Sequence, residues 1–146
     1  MLITKMLELV NKKLADETEP RSTLEPCIDS AIDEINMHMN TIFPVLSELT
    51  STVLEYTAIP DKYIRMIIIP YAAWSYYVTD EEGINAPVQY QQDAAKGLFA
   101  IIRDYSESVP EEYQEDMYHG GIPMKVDTTD GSGLSGVTVS VSNIRI

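Results

Sequence analysis

Only one cysteine, Cys27, occurs in the 146 residues, which excludes a disulfide within the chain and is compatible with a reducing cytoplasm. Histidine is nearly as scarce: His38 and His119 each follow a carboxylate by four residues, Glu34 and Glu115, but neither has a third ligand nearby, so no metal site is expected. Cations are few as well. Ten Lys and Arg stand against 23 Asp and Glu, for a formal net charge of −13 and a pI near 4.3. Such a chain cannot neutralise a run of phosphates, which disfavours nucleic-acid wrapping and docking on an anionic membrane. Long apolar runs are also missing. The longest, Met66 to Val78, is shorter than the ~20 residues of a membrane span and is broken in character by Pro70 and Ser75. The opening residues mix charge into a helical period and do not form a secretory signal. A soluble chain of one domain plus appendages is expected, with a hydrophobic fraction of 45% that is ordinary for a globular core.

Constellations that carry chemistry are equally scarce. Cys27 lies on or beside an apolar helical stripe and reads as a small core residue. "DTTDGSG", Asp127 to Gly133, lacks the ligand spacing of a calcium loop and reads as an Asp-Gly turn. "GSGLSG" does not sit between a strand and a helix with a lysine, so it is no phosphate loop. The acidic clusters Asp80/Glu81/Glu82 and Glu111/Glu112 fall at or beyond helix ends, where solvated charge is the simpler reading. No cofactor is implied, and an enzyme is not expected.

What is present is helical periodicity. Ile3, Met6, Leu7, Val10 and Leu14 form one amphipathic stripe, and Leu24, Ile28, Ala31, Ile32, Ile35, Met39 and Ile42 form a second, with Thr23 placed to cap and Pro26 in the first turn. The pattern fails from Asn40 to Ile59, where Pro44 and the β-branched "TSTV" predict an irregular connection with a helical turn at Val45 to Leu49. A third helix starts at Pro60 or Asp61 and ends near Asp80 or Gly83. It is apolar on nearly every side, so it must be surrounded by neighbours, and Pro70 predicts a kink. Its aromatic residues Tyr63, Tyr71, Trp74, Tyr76 and Tyr77 exceed what a core this small easily hides. Tyr63, Tyr71, Trp74 and Tyr77 are therefore candidates for subunit or core packing. A fourth helix, Pro87 to Tyr105, places Ala94, Leu98, Ile101, Ile102 and Tyr105 on one face. The fold expected is mainly α, a small four-helix bundle with a kinked central helix over residues 1–105.

Past Tyr105 the composition shifts. Residues 106–119 are acidic and read as a solvated linker, and residues 120–146 read as an extended C-terminal arm or β-hairpin. Val137, Val139 and Val141 alternate with Thr138, Ser140 and Ser142, and "IPMKV" supplies a possible partner strand. A lone hairpin is marginal in water, so Ile122, Met124, Val126, Val137, Val139, Val141 and Ile144 are candidate partner-binding residues of a docking arm.

The stretches "AIPDKY" (Ala58 to Tyr63) and "IIIPYAAWSYYVTDEE" (Ile67 to Glu82) resemble the central signature of the head-to-tail connector, or adaptor, proteins of tailed bacteriophages. "CIDSAIDEINMHMNTIF" is similar to their second helix and "YQQDAAKGLFAIIRDY" to their last, so the resemblance covers about Leu24 to Tyr105 and leaves the C-terminal tail aside. It implies a virion protein of the neck, made in the host cytoplasm. As implied, the protein is a homo-oligomeric ring, generally a dodecamer, seated between the portal protein and a stopper or tail-side neck protein. DNA would pass the lumen without specific binding, and an acidic lumen wall would keep it from sticking. The residues alone leave open a second role, a free cytoplasmic helical interaction module serving as assembly factor or regulator.

Overall fold

The computed structural model describes residues 1–14, 18–80 and 87–115. Among these residues the chain is mainly helical, with four helices and no sheet. Helix α1 spans Ile3–Asn11, α2 Arg21–Met39 and α4 Val88–Tyr105. Between α2 and α4, α3 continues through an α-turn, Asp61–Tyr63, a π segment, Ile64–Ile68, and a regular stretch, Ile69–Asp80. Short 3₁₀ turns occupy Leu46–Glu48 and Glu111–Tyr113. The chain divides into two units, Met1–Gln114 and Glu115–Ile146, and the packing below belongs to the first. The expected arm at 120–146, with Ile122, Met124, Val126, Val137, Val139, Val141 and Ile144, lies outside the described residues, as does His119.

Each helix buries the stripe that its periodicity marks. Ile3, Met6 and Val10 of α1 and Leu24, Ile28, Ala31, Ile32 and Ile35 of α2 are all buried. Leu14 is buried too, although α1 ends at Asn11 and two turn bonds, Lys13 N–H to Val10 and Leu14 N–H to Asn11, carry the chain past it. Helix α2 starts earlier than its stripe implies. Pro20 precedes its first turn and accepts from the N–H groups of Thr23 and Leu24, so Thr23 lies within the turn and does not cap it. Pro26 therefore sits inside the helix, on its exposed side, and gives no N–H to the carbonyl of Ser22. The helix stops at Asn40, whose φ of 55° is left-handed, a conformation asparagine tolerates better than other residues with a Cβ. Ile42, placed by sequence on the α2 stripe, lies beyond that stop and is exposed.

Helix α3 lies at the centre. It packs against α1, α2 and α4, whereas α2 and α4 meet each other only sparsely. Ile64, Ile67, Ile68, Ile69, Ala72, Ala73 and Tyr76 are all buried, which is why its sequence is apolar on nearly every side. The proline expected to kink it is accommodated by the π segment one turn earlier, where Ile69 N–H reaches back five residues to Ile64. In a regular helix the Pro70 ring would meet the carbonyl four residues back, that of Met66, and the wider π turn relieves that clash. Helix α4 crosses at the same point. A Cβ at Gly97 would stand 2.6 Å from Ile67 Cγ1 and 2.8 Å from the Met66 carbonyl oxygen, so only glycine permits this approach.

The connection from Asn40 to Pro60 contains no helix beyond the 3₁₀ turn, yet its backbone is satisfied by side chains. Asn36 spans it: its Nδ2 donates to the Phe43 carbonyl at 2.9 Å, while its Oδ1 accepts from Phe43 N–H and from the Thr41 hydroxyl, each at 2.9 Å. Asp29 accepts from Leu46 N–H at 2.7 Å and thereby holds the 3₁₀ turn against α2. Tyr56, almost wholly buried, donates its phenol to the Pro44 carbonyl at 2.6 Å. Leu2 pairs in antiparallel fashion with Glu55, which ties this connection to the start of α1.

The acidic stretch after α4, expected as a solvated linker from residue 106, folds back as far as Gln114. Val109 is buried, Tyr113 packs on Phe43 with ring centroids 5.3 Å apart, Ile42 N–H donates to the Tyr113 carbonyl at 2.8 Å, and Thr41 bridges Gln114. Two apolar anchors among the carboxylates, Val109 and Tyr113, account for this difference, since their burial outweighs the solvation preference of the charges around them.

Two outcomes test this packing. Gly97→Ala in a helix interior ordinarily gains about 0.5–1 kcal/mol from propensity, but here the new methyl meets backbone, so a net loss of about 1–3 kcal/mol is expected in urea unfolding. A raised melting temperature would refute the close crossing. Burial pushes the Tyr56 phenol well above its ordinary pKa, and Tyr113, Asp29 and Glu48 add to the shift. A raised folded-state pKa leaves stability intact below the unfolded value of about 10 and removes it as pH climbs beyond, because the unfolded phenol ionises first. Tyr56→Phe should lose about 1 kcal/mol at neutral pH with its hydrogen bond, yet decline less steeply than wild type above pH ~10. Parallel alkaline profiles would count against the buried phenol.

Candidate functional site

The aromatic candidates of α3 are distributed along it and do not form one patch. Tyr63 is buried and packs on Tyr105 of α4 at 5.5 Å between centroids. Tyr71 and Trp74 form a half-buried edge-on pair at 5.6 Å, and Tyr77 meets Tyr76 in the same manner. Tyr76 itself is buried and donates to the Glu19 carboxylate at 2.7 Å, which clamps the approach to α2 against α3. Burial raises the pKa of Tyr71, with the Glu34 charge adding to it. Much of the aromatic excess is thus used inside one copy, as rings in the core and phenols tied to loops. Tyr71, Trp74 and Tyr77 keep part of their surface.

An exposed apolar surface lies elsewhere, on the outer side of α4. Its inner face buries Ala94, Gly97, Ala100 and Ile101. Ile102, expected on that face, turns outward with 39% exposure, because the close approach at Gly97 centres the contact on 94, 97 and 101 and one residue further is about 100° round the helix. Phe99 is 78% exposed and Val88 59%. Val88, Ala95, Phe99 and Ile102 follow the alternating spacing of seven, four and three residues that makes a seam for a second helix. Arg103 and Asp104 beside the seam bond each other at 2.8 and 2.9 Å, so that flank carries no net charge. This bond raises the arginine's pKa and lowers the carboxylate's.

Next to the seam runs a cationic groove between α1, α3 and α4. Two open pockets of about 300 and 260 Å³ adjoin there and share Lys13 and Arg65. Lys12 completes the first, and Lys96, beside Gly97, the second. Lys13 lies over the Tyr90 ring at 5.3 Å, and the Tyr90 phenol donates to the Lys13 carbonyl at 3.0 Å, fixing the end of α1 on the start of α4. Among the described residues the only acid lining these two pockets is Asp93, which already accepts from Gln89 at 2.8 Å.

The remaining polar candidates make no chemical constellation. Cys27 is buried against α3, where burial pushes its thiol pKa up and a hydrogen bond with Ser75 opposes the shift, so the reactive thiolate is disfavoured. His38 Nδ1 lies 2.9 Å from the Glu34 carbonyl oxygen and 3.6 Å from its carboxylate. Among the described residues no three His, Cys, Asp or Glu side chains gather as metal ligands, and no helix is long and apolar enough to cross a membrane. Comparison with protein-family models, curated proteins and solved structures finds no match to this chain.

If the seam is a surface and not a core element, Phe99→Ser and Ile102→Ser should each leave the melting curve within about 0.5 kcal/mol of wild type, whereas Leu24→Ala should cost about 2–5 kcal/mol. A large destabilisation by Phe99→Ser would place that ring in the fold.

Proposed function

We propose that this protein is a structural component of a bacteriophage neck, an oligomeric ring that joins the portal to the stopper or tail-side proteins and lets DNA pass. The observation that carries the proposal is the outer seam of α4. Leu2, Met37, Ile42 and Leu54 are exposed as well, but Phe99, Val88 and Ile102 stand in water along one helix at helix-pairing spacing, and such surfaces mark protein contacts. The resemblance of Leu24 to Tyr105 to connector proteins agrees with that use, as does the net charge of −13, which suits a lumen that DNA must traverse without adhering. The role we read is mechanical and not catalytic: the packed helices serve as the body, and the sequence of residues 120–146, with its alternating valines, suits an arm that adds a strand to the edge of a neighbouring sheet.

The test is co-sedimentation of the full chain with portal rings encoded beside it. Stoichiometric decoration of one portal face is expected, with loss of binding when the chain is truncated after Tyr118 and retention of helical circular dichroism in the truncated protein. Portal rings left bare by the full chain would overturn the neck reading and favour a free interaction module.

A further inference from the structure

We infer that the cationic groove receives the acidic segment that follows α4 in a second copy of this chain, so that copies join head to tail. The inference rests on the ring reading above and specifies the two faces that would build it.

The groove is the first half of the argument. Lys12, Lys13, Arg65 and Lys96 are four of the ten cations, gathered on a chain of net charge −13. Lys12 shares Glu8 with Lys5, but Lys13, Arg65 and Lys96 form no ion pair among the described residues. Like charges brought together repel one another, and among the described residues Glu8, on Lys12, and Asp93 are the only carboxylates at this cluster. Carboxylates from outside relieve that repulsion.

The acidic segment is the second half. Glu107, Glu111 and Glu112 are exposed and unpaired among the described residues, yet the backbone that carries them is fixed by Val109, by Tyr113 on Phe43, and by Gln114 Nε2 donating to the Val109 carbonyl at 2.8 Å. Carboxylates held in this way lose less freedom on binding than those of a loose tail. Ile42, exposed beside Tyr113, adds an apolar contact of the kind the α4 seam can cover.

The groove runs along α4 from its start to its middle at Gly97, and the acidic segment follows its end. Tyr90 reaches the Lys13 carbonyl near its start, while Tyr105, packed on Tyr63, leads into the acidic segment at its end. From Gly97 to Tyr105 the helix rises about 12 Å. A body that is cationic along the first half of α4 and anionic past its end has different surfaces to offer its two neighbours. A heterologous contact between such surfaces generates rings or filaments.

The experiment uses two neutralised full-length variants and mass measurement by sedimentation. One carries Arg65→Gln with Lys96→Gln, the other Glu107→Gln, Glu111→Gln and Glu112→Gln; all five side chains are exposed, and circular dichroism checks that the fold is kept. Wild type should form species larger than two copies, weakened about tenfold or more at ~1 M salt, where the Debye length falls to about 3 Å. Each variant alone should stay monomeric, and their equimolar mixture should stop at two copies, since each retains one working face. Overturning results are a wild type that is monomeric or stops at two, variants that assemble as wild type does, or a monomeric wild type whose groove instead binds poly-glutamate or duplex DNA. Self-assembly without portal decoration would count against the neck reading alone. Portal decoration by both variants at wild-type affinity, with monomers in solution, would count against the groove alone.

Discussion

The contact on which the rest of the structure depends is the crossing of α3 and α4 at Gly97. Pro70 cannot sit four residues after a normally placed carbonyl, so the helix opens into a π turn before it. The Met66 carbonyl lies where α4 passes, and α4 can approach because Gly97 has no side chain to intervene. Once that point is set, the ends of α4 follow: Tyr90 reaches the Lys13 carbonyl just past α1, and Tyr105 packs at a tilt on Tyr63. The crossing also decides which side of α4 faces water, and therefore exposes Phe99 and Ile102.

A second constraint is the polar stitching of the long connection between α2 and α3. A segment that contributes no strand and only one 3₁₀ turn would leave buried N–H and C=O groups unpaired, at a cost of about 1–3 kcal/mol each. Asn36, Asp29 and Tyr56 supply the missing partners at three points. Because Asn36 and Asp29 belong to α2, the connection is fastened to a helix and not merely laid over the core. The acidic segment up to Gln114 is fastened to the connection in turn through Thr41, Ile42 and Phe43. The two stretches without regular helix are thereby fastened to each other and to α2, and a backbone held in this way presents its charges at defined positions.

Charge then gains a direction. The overall excess of carboxylates sets the sign of the field at a distance, but the groove of Lys12, Lys13, Arg65 and Lys96 reverses it locally. The aromatic surplus contributes less to the exterior than its abundance implies, because Tyr56, Tyr63 and Tyr76 are spent on burial and on hydrogen bonds to loops. Besides the half-buried Tyr71, Trp74 and Tyr77, the exterior carries the α4 seam with Phe99 at its centre, the groove and the carboxylates after Tyr105.

The sequence by itself determined the four helices, the 3₁₀ turn near Leu46 and the surrounded character of α3, because each depends on periodicity and local preference within a few residues. Leu24, Ile28, Ala31, Ile32 and Ile35 could be assigned to a core face without knowing what they touch. The tertiary structure alone decided what depends on a partner distant in the chain. Gly97 has no meaning until Met66 is opposite it, and Asn36 is an ordinary helix residue until Phe43 returns to it. Ile102 looked like core because the helical period marks a stripe about 100° wide, and only the crossing at Gly97 chose its centre. The seam of Val88, Ala95, Phe99 and Ile102 was legible as spacing, but a four-helix reading offers two such faces on α4 and no local rule that selects the exposed one. The groove was beyond reach for the same reason: its cations are separated by the length of three helices, and folding alone brings them together.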